Sequence, residues 1–292
     1  MRSMRYHKSQ SAMEFLMTYG WSVLIVTAVL VTLFNMGIFN SSTYTPKAQP
    51  GNCKVLRTGG FTNLEGTCSG VPPQSVAVFN GGSSYVSVPN SASLNTVSSI
   101  TISAWIYTVQ TSTIGQAIAS TKTTESGTSG FVTEYYSTAG NVQMYWGNGA
   151  GSGGGTISSS KVVANSWVQV VYVLSGNTYN AYINGANIGS YTSANSFTSA
   201  SGNPLQIGLL GAGTYPFNGD IANVQIYNTT LDASQIQLLY TKGIGAAPIA
   251  PQYVVGWWPL NGNANDYSGN NGNGAATGIT YTSSWTAGYT AP

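Results

Sequence analysis

From Ser75 onward the chain keeps a period of two. In ITISAWIYT, Ile100, Ile102, Ala104 and Ile106 fall on one face of an extended segment, and Thr101, Ser103, Trp105 and Tyr107 on the other. The pattern recurs in SVAVFNGGSSYVSV, NVQMYWGN, SWVQVVYVL and TYNAYINGANIGSY, short runs rich in β-branched and aromatic residues and broken by Gly and Asn. These runs predict strands. Asn184-Gly185 predicts a type I′ hairpin, whose two central residues both take positive φ. One helix signal follows, the capping-box pattern Asp232-Ala-Ser-Gln235 ahead of Ile236, Leu239 and Tyr240. Many strands and a single short helix predict an all-β sandwich over 75–292.

A different pattern precedes them. Gln10 to Phe39 is an apolar run whose only ionised side chain is Glu14. As a helix it would reach about 45 Å, against roughly 30 Å for the hydrocarbon core of a bilayer, so it predicts a long N-terminal helix able to cross a membrane. Arg2, Arg5 and Lys8 stand before it, and that positive excess keeps the first residues cytoplasmic while the rest goes outward. No proline interrupts the run, so no proline kink is expected. The small and polar residues Lys8-Ser9-Gln10-Ser11-Ala12 come before the apolar core, whereas a secretory cleavage site follows it. Residues 40–74 turn to Ser, Thr, Pro and Gly and read as a stalk.

Charged residues make up only 5% of the chain, so its surface must be wetted by hydroxyls and amides. Loss of Arg2, Arg5 and Lys8 would take the formal charge from +2 to −1, leaving no basic patch, and nucleic acid is not an expected partner. The one histidine, His7, lies in the same leader. Without it the chain has no histidine base and no His-ligated metal. Cys53 and Cys68, with fourteen residues between them, sit in a segment placed outside, which favours a disulfide over two free thiols. Asn40-Ser-Ser and Asn228-Thr-Thr fit the glycosylation acceptor pattern. Glu125 and Glu134 are nine apart and Asp220, Asp232 and Asp266 are isolated, so the paired carboxyls of a glycosidase are not expected and the chain reads as no enzyme. Tyr135, Tyr136, Tyr145 and Trp146 lie on or near predicted strands, either stacking on sugars or serving as core and cross-strand pairs.

Two resemblances sharpen this. HKSQSAMEFLMTYGW resembles the class III signal peptide of archaeal type IV pilins and related archaella subunits, which a membrane-embedded prepilin peptidase cuts ahead of the apolar helix. The resemblance implies a cut between Ser9 and Gln10, with 1–9 as leader and 10–39 as filament-core helix. It also implies that Glu14, costly in an apolar bundle without a positive partner, pairs with the freed amine of a neighbouring subunit. The alternative is a plain signal anchor with Glu14 at the lipid headgroups.

The region from Ser75 to Gly243 resembles the laminin G-like, concanavalin A-like jelly-roll family. AVFNGGSSYVSVPNSASL, ITISAWIY, SWVQVVYVLSGNTYNAYINGANIG and FNGDIANVQIYNTTLDASQIQLLY follow the family's order. The segment 254–292, opening VVGWWPLNGNANDYSG, looks like the one that in this family precedes the FNG strand, so the jelly roll reads as circularly permuted, its usual first strand last. That strand either closes its own sandwich or is donated to a neighbour. Relatives often hold calcium, and the matching positions are Asn80, Asp220 and Asp266, with Asn80 where the family has an acid. A structural calcium ion is the one cofactor this allows; the alternative is that Asp266 and its neighbours make only Asx-turns.

Together these imply a structural subunit of an extracellular type IV pilus-like filament, inserted in the cytoplasmic membrane before assembly and displaying a lectin-like domain. The alternative is a minor pilin or membrane-anchored adhesin. Identical subunits, the prepilin peptidase and cell-surface or environmental glycans are the partners implied.

Overall fold

The structure, a computed structural model, describes residues 8–35, 72–95, 98–109, 115–136, 140–159, 162–197, 202–211 and 213–292, with side chains in the first stretch at Met17 and 19–32 only. The chain divides into two units after Lys47. In the first, helix α1 runs Lys8–Asn35. It therefore begins ahead of the Ser9–Gln10 junction and contains Glu14. Thr27 and Thr32 turn their hydroxyls back onto the helix, donating to the carbonyls of Val23 and Val29 at 2.8 Å, so their polar groups are satisfied internally. Among the described residues no helix is long and apolar enough to cross a membrane, so the crossing expected of 10–39 rests on the sequence alone. Asn40, Cys53, Cys68 and most of the expected stalk lie outside the described residues.

Two antiparallel sheets build the second unit. The first has the order β10 (Ala186–Thr192), β9 (Thr178–Ile183), β8 (Trp167–Ser175), β3 (Ser99–Thr108), β12 (Asn218–Tyr227), β1 (Val76–Asn80) and β15 (Thr280–Thr282), with β13 (Val254–Trp258) also paired to β12. The second has the order β14 (Ala275–Thr277), β2 (Tyr85–Val88), β11 (Leu205–Ile207), β4 (Gln116–Ser120), β5 (Phe131–Tyr136), β6 (Asn141–Gly147) and β7 (Ser152–Ile157). Between the sheets, Ile100, Ile102, Ala104 and Ile106 enter one core with Tyr135, Met144 and Trp146. The alternation read in ITISAWIYT holds, and the fold is the expected sandwich.

The outer face of the first sheet is buried as well. Trp105 stacks on Tyr240 of helix α2 (Ala233–Thr241) with centroids 5.9 Å apart, and Trp167 meets Trp285 edge-on at 6.1 Å. Apolar residues on this face attract the helix and the C-terminal tail, which cover it. Asp232 caps α2 in both senses: its Oδ1 accepts from the Gln235 N–H at 2.8 Å, and the Gln235 side chain accepts from the Asp232 N–H at 2.9 Å. Asn184 and Gly185 take φ of 50° and 75°, as the hairpin requires. Pro73, assigned to the stalk from sequence, is buried here, its carbonyl accepting from Trp285 Nε1 at 3.0 Å. The sandwich thus begins ahead of Ser75, because the indole needs an acceptor beneath the tail.

The C-terminal segment closes on its own chain. β1 pairs with Asn218–Ile221 of β12 and β13 with Val224–Tyr227, so the two lie end to end along one edge of that strand. Between them Asn223 takes φ of 50° in a bulge, and its Oδ1 accepts from Trp257 Nε1 at 2.8 Å. Trp258 enters the core between the sheets. β15 then pairs with β1, and β14 with β2.

Candidate functional site

The outer face of the second sheet, with the loop that covers it, brings together Lys122, Glu125 and Glu134. Along β5, Phe131 and Tyr135 point into the core, which turns Val132, Glu134 and Tyr136 outward; along β6, Val142, Met144 and Trp146 point in, which turns Gln143 and Tyr145 outward. Register sets Glu134 beside Gln143 and Gln143 beside Thr156 of β7. A ladder results: Thr156 Oγ1 donates to Gln143 Oε1 at 2.7 Å, and Gln143 Nε2 donates to Glu134 Oε2 at 2.6 Å. Next along, Tyr145 lies opposite Gly154, where a Cβ would stand 2.9 Å from its ring, so glycine leaves the tyrosine room.

Residues 121–130, between β4 and β5, fold over this face. Lys122 is 2% exposed and its Nζ donates to the Gly127 carbonyl and, at 3.1 Å, to Ser152 Oγ. Ser152 Oγ in turn donates to the Glu125 carbonyl at 2.9 Å, and Tyr215 OH donates to Glu125 Oε2 at 3.0 Å. Tyr215 sits at φ 52°, an unusual setting for a large side chain, with its carbonyl held by the Ala117 N–H at 2.8 Å.

These contacts bring Glu125 against Glu134. Glu134 is fully buried and its Oε1 has no hydrogen-bond partner. Burial pushes its carboxyl up to about 8, opposed by the Gln143 hydrogen bond and reinforced by Glu125. Burial pushes the Lys122 amine down to about 8, against the pull of Glu125 and Glu134. Burial, then the Glu125 carboxyl, raise the Tyr215 hydroxyl to about 12. Above the buried groups opens a cleft of about 500 Å³, lined by Glu125, Tyr145, Ser152, Gly154, Ser193 and Tyr215 among others. Two rings, a carboxylate and several hydroxyls converge there.

The structure thus corrects one sequence expectation, that Glu125 and Glu134 stand apart: the loop between them doubles back and sets one over the other. Tyr215 was not foreseen. Of the aromatic candidates, Tyr135 and Trp146 are core residues, Tyr136 and Tyr145 are outward, and Tyr145 lines the cleft.

Of the expected calcium ligands, Asn80 and Asp266 each hold their own loop. Asn80 Oδ1 accepts from the N–H groups of Gly82, Ser83 and Ser84 and from Ser84 Oγ. Asp266 accepts from the N–H groups of Trp257, Ser268 and Gly272 and from Ser268 Oγ. Asp220 sits on β12 between Val78 and Tyr107, its carboxyl raised to about 6 by burial. Among the described residues no three His, Cys, Asp or Glu side chains gather to hold a metal ion. Asp266 and Asn263 each accept from the N–H two residues on, as Asx-turns do. Asn228 is exposed at the end of β12, its sequon open to solvent.

A family model described as the concanavalin A-like lectin/glucanases superfamily matches residues 80–237, more than half of the chain. A crystal structure from Bacteroides ovatus ATCC 8483, to which carbohydrate binding is provisionally ascribed, is similar with a TM-score of 0.56 at 17% identity, over 73% of this chain and 60% of that one. The heptameric SAP-like pentraxin of Limulus polyphemus is similar with a TM-score of 0.52 at 15% identity, over 71% of this chain and 94% of that one. No curated protein sequence matches.

Proposed function

Because the chain belongs to the concanavalin A-like lectin/glucanases superfamily, we propose that its sandwich is a lectin-like module that binds glycans in the cleft over β5–β7. The observation that carries this is the pair of half-exposed rings, Tyr145 and Tyr215, flanking Glu125 and the Ser152 and Ser193 hydroxyls in one concavity. Aromatic faces pack against the apolar faces of pyranoses, and the carboxylate accepts from their hydroxyls. The carbohydrate binding provisionally ascribed to the Bacteroides ovatus protein agrees with it. The role proposed is binding and not catalysis, since Glu134 lies beneath the cleft, fully buried, out of reach of a glycosidic oxygen. No metal is required. A glycan array probed with the full chain tests this: selective binding that Tyr145→Ala removes is expected, and a blank array would overturn it.

A second part concerns α1. Met17 and Trp21 are 68% and 67% exposed, and Tyr19, Val23 to Val26 and Val29 to Val31 expose large apolar surfaces on several faces. So much exposed apolar surface is favourably covered by apolar surroundings. With the pilin-like leader, this favours a filament subunit on the cell surface, inserted in the membrane first, cut between Ser9 and Gln10 by a prepilin peptidase and polymerised with identical subunits through α1, Glu14 pairing with a neighbour's freed amine. Mass spectrometry of sheared surface filaments should return a chain starting at Gln10. A mass retaining Met1 to Ser9 would overturn the processing step.

A further inference from the structure

Resting on the carbohydrate reading above, we propose that this cleft selects uncharged, hydroxyl-rich sugars and turns away anionic ones, uronates and sialic acids alike. The reason lies in where its donors point. Ser152 Oγ donates to the Glu125 carbonyl, Thr214 Oγ1 donates to the Leu210 carbonyl at 2.9 Å, and Tyr215 OH donates to Glu125 Oε2. Each hydroxyl has spent its only hydrogen on the protein and offers a ligand lone pairs alone. The Glu125 carboxylate is likewise an acceptor. Ser193, whose Oγ accepts from the Asn195 N–H at 3.3 Å, keeps its hydrogen, as do rim hydroxyls at Thr124 and Ser126.

The cation that could reverse this is turned inward. Lys122 is the charged nitrogen next to the cleft among the described residues, and it is buried with Nζ committed to the Gly127 carbonyl and Ser152 Oγ. Held by those two acceptors, it cannot reach a ligand. A neutral sugar, whose every hydroxyl can donate, finds acceptors at Glu125, Ser152, Thr214 and Tyr215. A carboxylate sugar brings acceptors to acceptors and a negative charge to Glu125.

The test uses matched pairs: oligosaccharides ending in glucose or galactose against those ending in the corresponding uronate, titrated calorimetrically into the full chain at pH 7. The neutral member of a binding pair should bind at least about tenfold tighter. Glu125→Gln should shrink that ratio by removing the charge while keeping an acceptor for Tyr215. Should that variant not fold, salt serves on the wild-type protein: added salt should strengthen uronate binding and leave the neutral sugar unaffected. Equal or tighter binding of the uronate, abolished by Tyr145→Ala, would overturn the selectivity while leaving the carbohydrate reading intact. No binding of either member by any pair would overturn both.

Discussion

Gln143 donates its side-chain N–H to Glu134 across the β5–β6 pair at 2.6 Å, and Thr156 fixes the amide by donating to its oxygen. The bond holds the orientation of a carboxyl that burial keeps protonated to about pH 8. That carboxyl is fully buried and does not itself line the cleft.

Glu134 and Lys122 should give stability an unusual pH profile. The folded value of Glu134 is raised from its ordinary 4.5 to about 8, so the stability it contributes is complete below 4.5 and is lost as pH rises through 8. The folded value of Lys122 is lowered from 10.5 to about 8, so its contribution is present above 10.5 and is lost as pH falls through 8. The two meet in a minimum near pH 8. Urea denaturation between pH 5 and 10 should show it, and Glu134→Gln should flatten the acid limb by a gain on the order of a few kcal/mol at pH 8. A wild-type profile flat across this range would refute the account.

Tyr145→Ala and Tyr215→Ala should each weaken glycan binding roughly tenfold, about 1.4 kcal/mol. Tyr253→Ala, an exposed ring on the segment leading into β13, should leave affinity unchanged. Equal losses at all three positions would place binding elsewhere.

Asn223→Ala should destabilise the sandwich by about 2–3 kcal/mol. It removes the acceptor of Trp257 Nε1, takes one of two donors from the Ala246 carbonyl, and puts alanine at φ 50°. Asn223→Gly relieves only the backbone, so it should recover about 1 kcal/mol. If the two variants melt together, the left-handed backbone carries no cost at this bulge.

Ending the chain after Gly243 should abolish cooperative unfolding, because it strips Trp258 from the core and leaves half an edge of β12 unpaired. Near-ultraviolet circular dichroism of the shortened chain should lose its aromatic fine structure. A retained sharp melt would mean that β13 to β15 are dispensable.

Local patterns in the sequence were faithful. The β3 alternation, the Asn184-Gly185 turn and the Asp232 capping box each depend on neighbours within a few residues, and each stands as read. Long-range burial was not legible. Thr101 and Ser103 alternate like solvent-facing residues but lie under cover, Thr101 Oγ1 donating to the Thr229 carbonyl at 2.7 Å. The carboxyl pair was hidden because sequence distance says nothing of a loop that returns on itself, and because two acids are expected to repel. One signal was available: the period of FVTEYY puts Glu134 on the face opposite Phe131 and Tyr135, and hairpin pairing brings it beside Gln143.

The end-to-end placement of β1 and β13 along β12 also bears on when the molecule can fold. The two halves of that edge come from positions about 180 residues apart, so synthesis must pass Trp258 before the second half exists. At a few to about twenty residues per second, a growing chain spends on the order of a few seconds between finishing β12 and reaching Trp258, with its slot in the core vacant. Until β13 has been made, half of that β12 edge has no strand to pair with. Completion of the sandwich thereby waits on β13, however early its other strands are made.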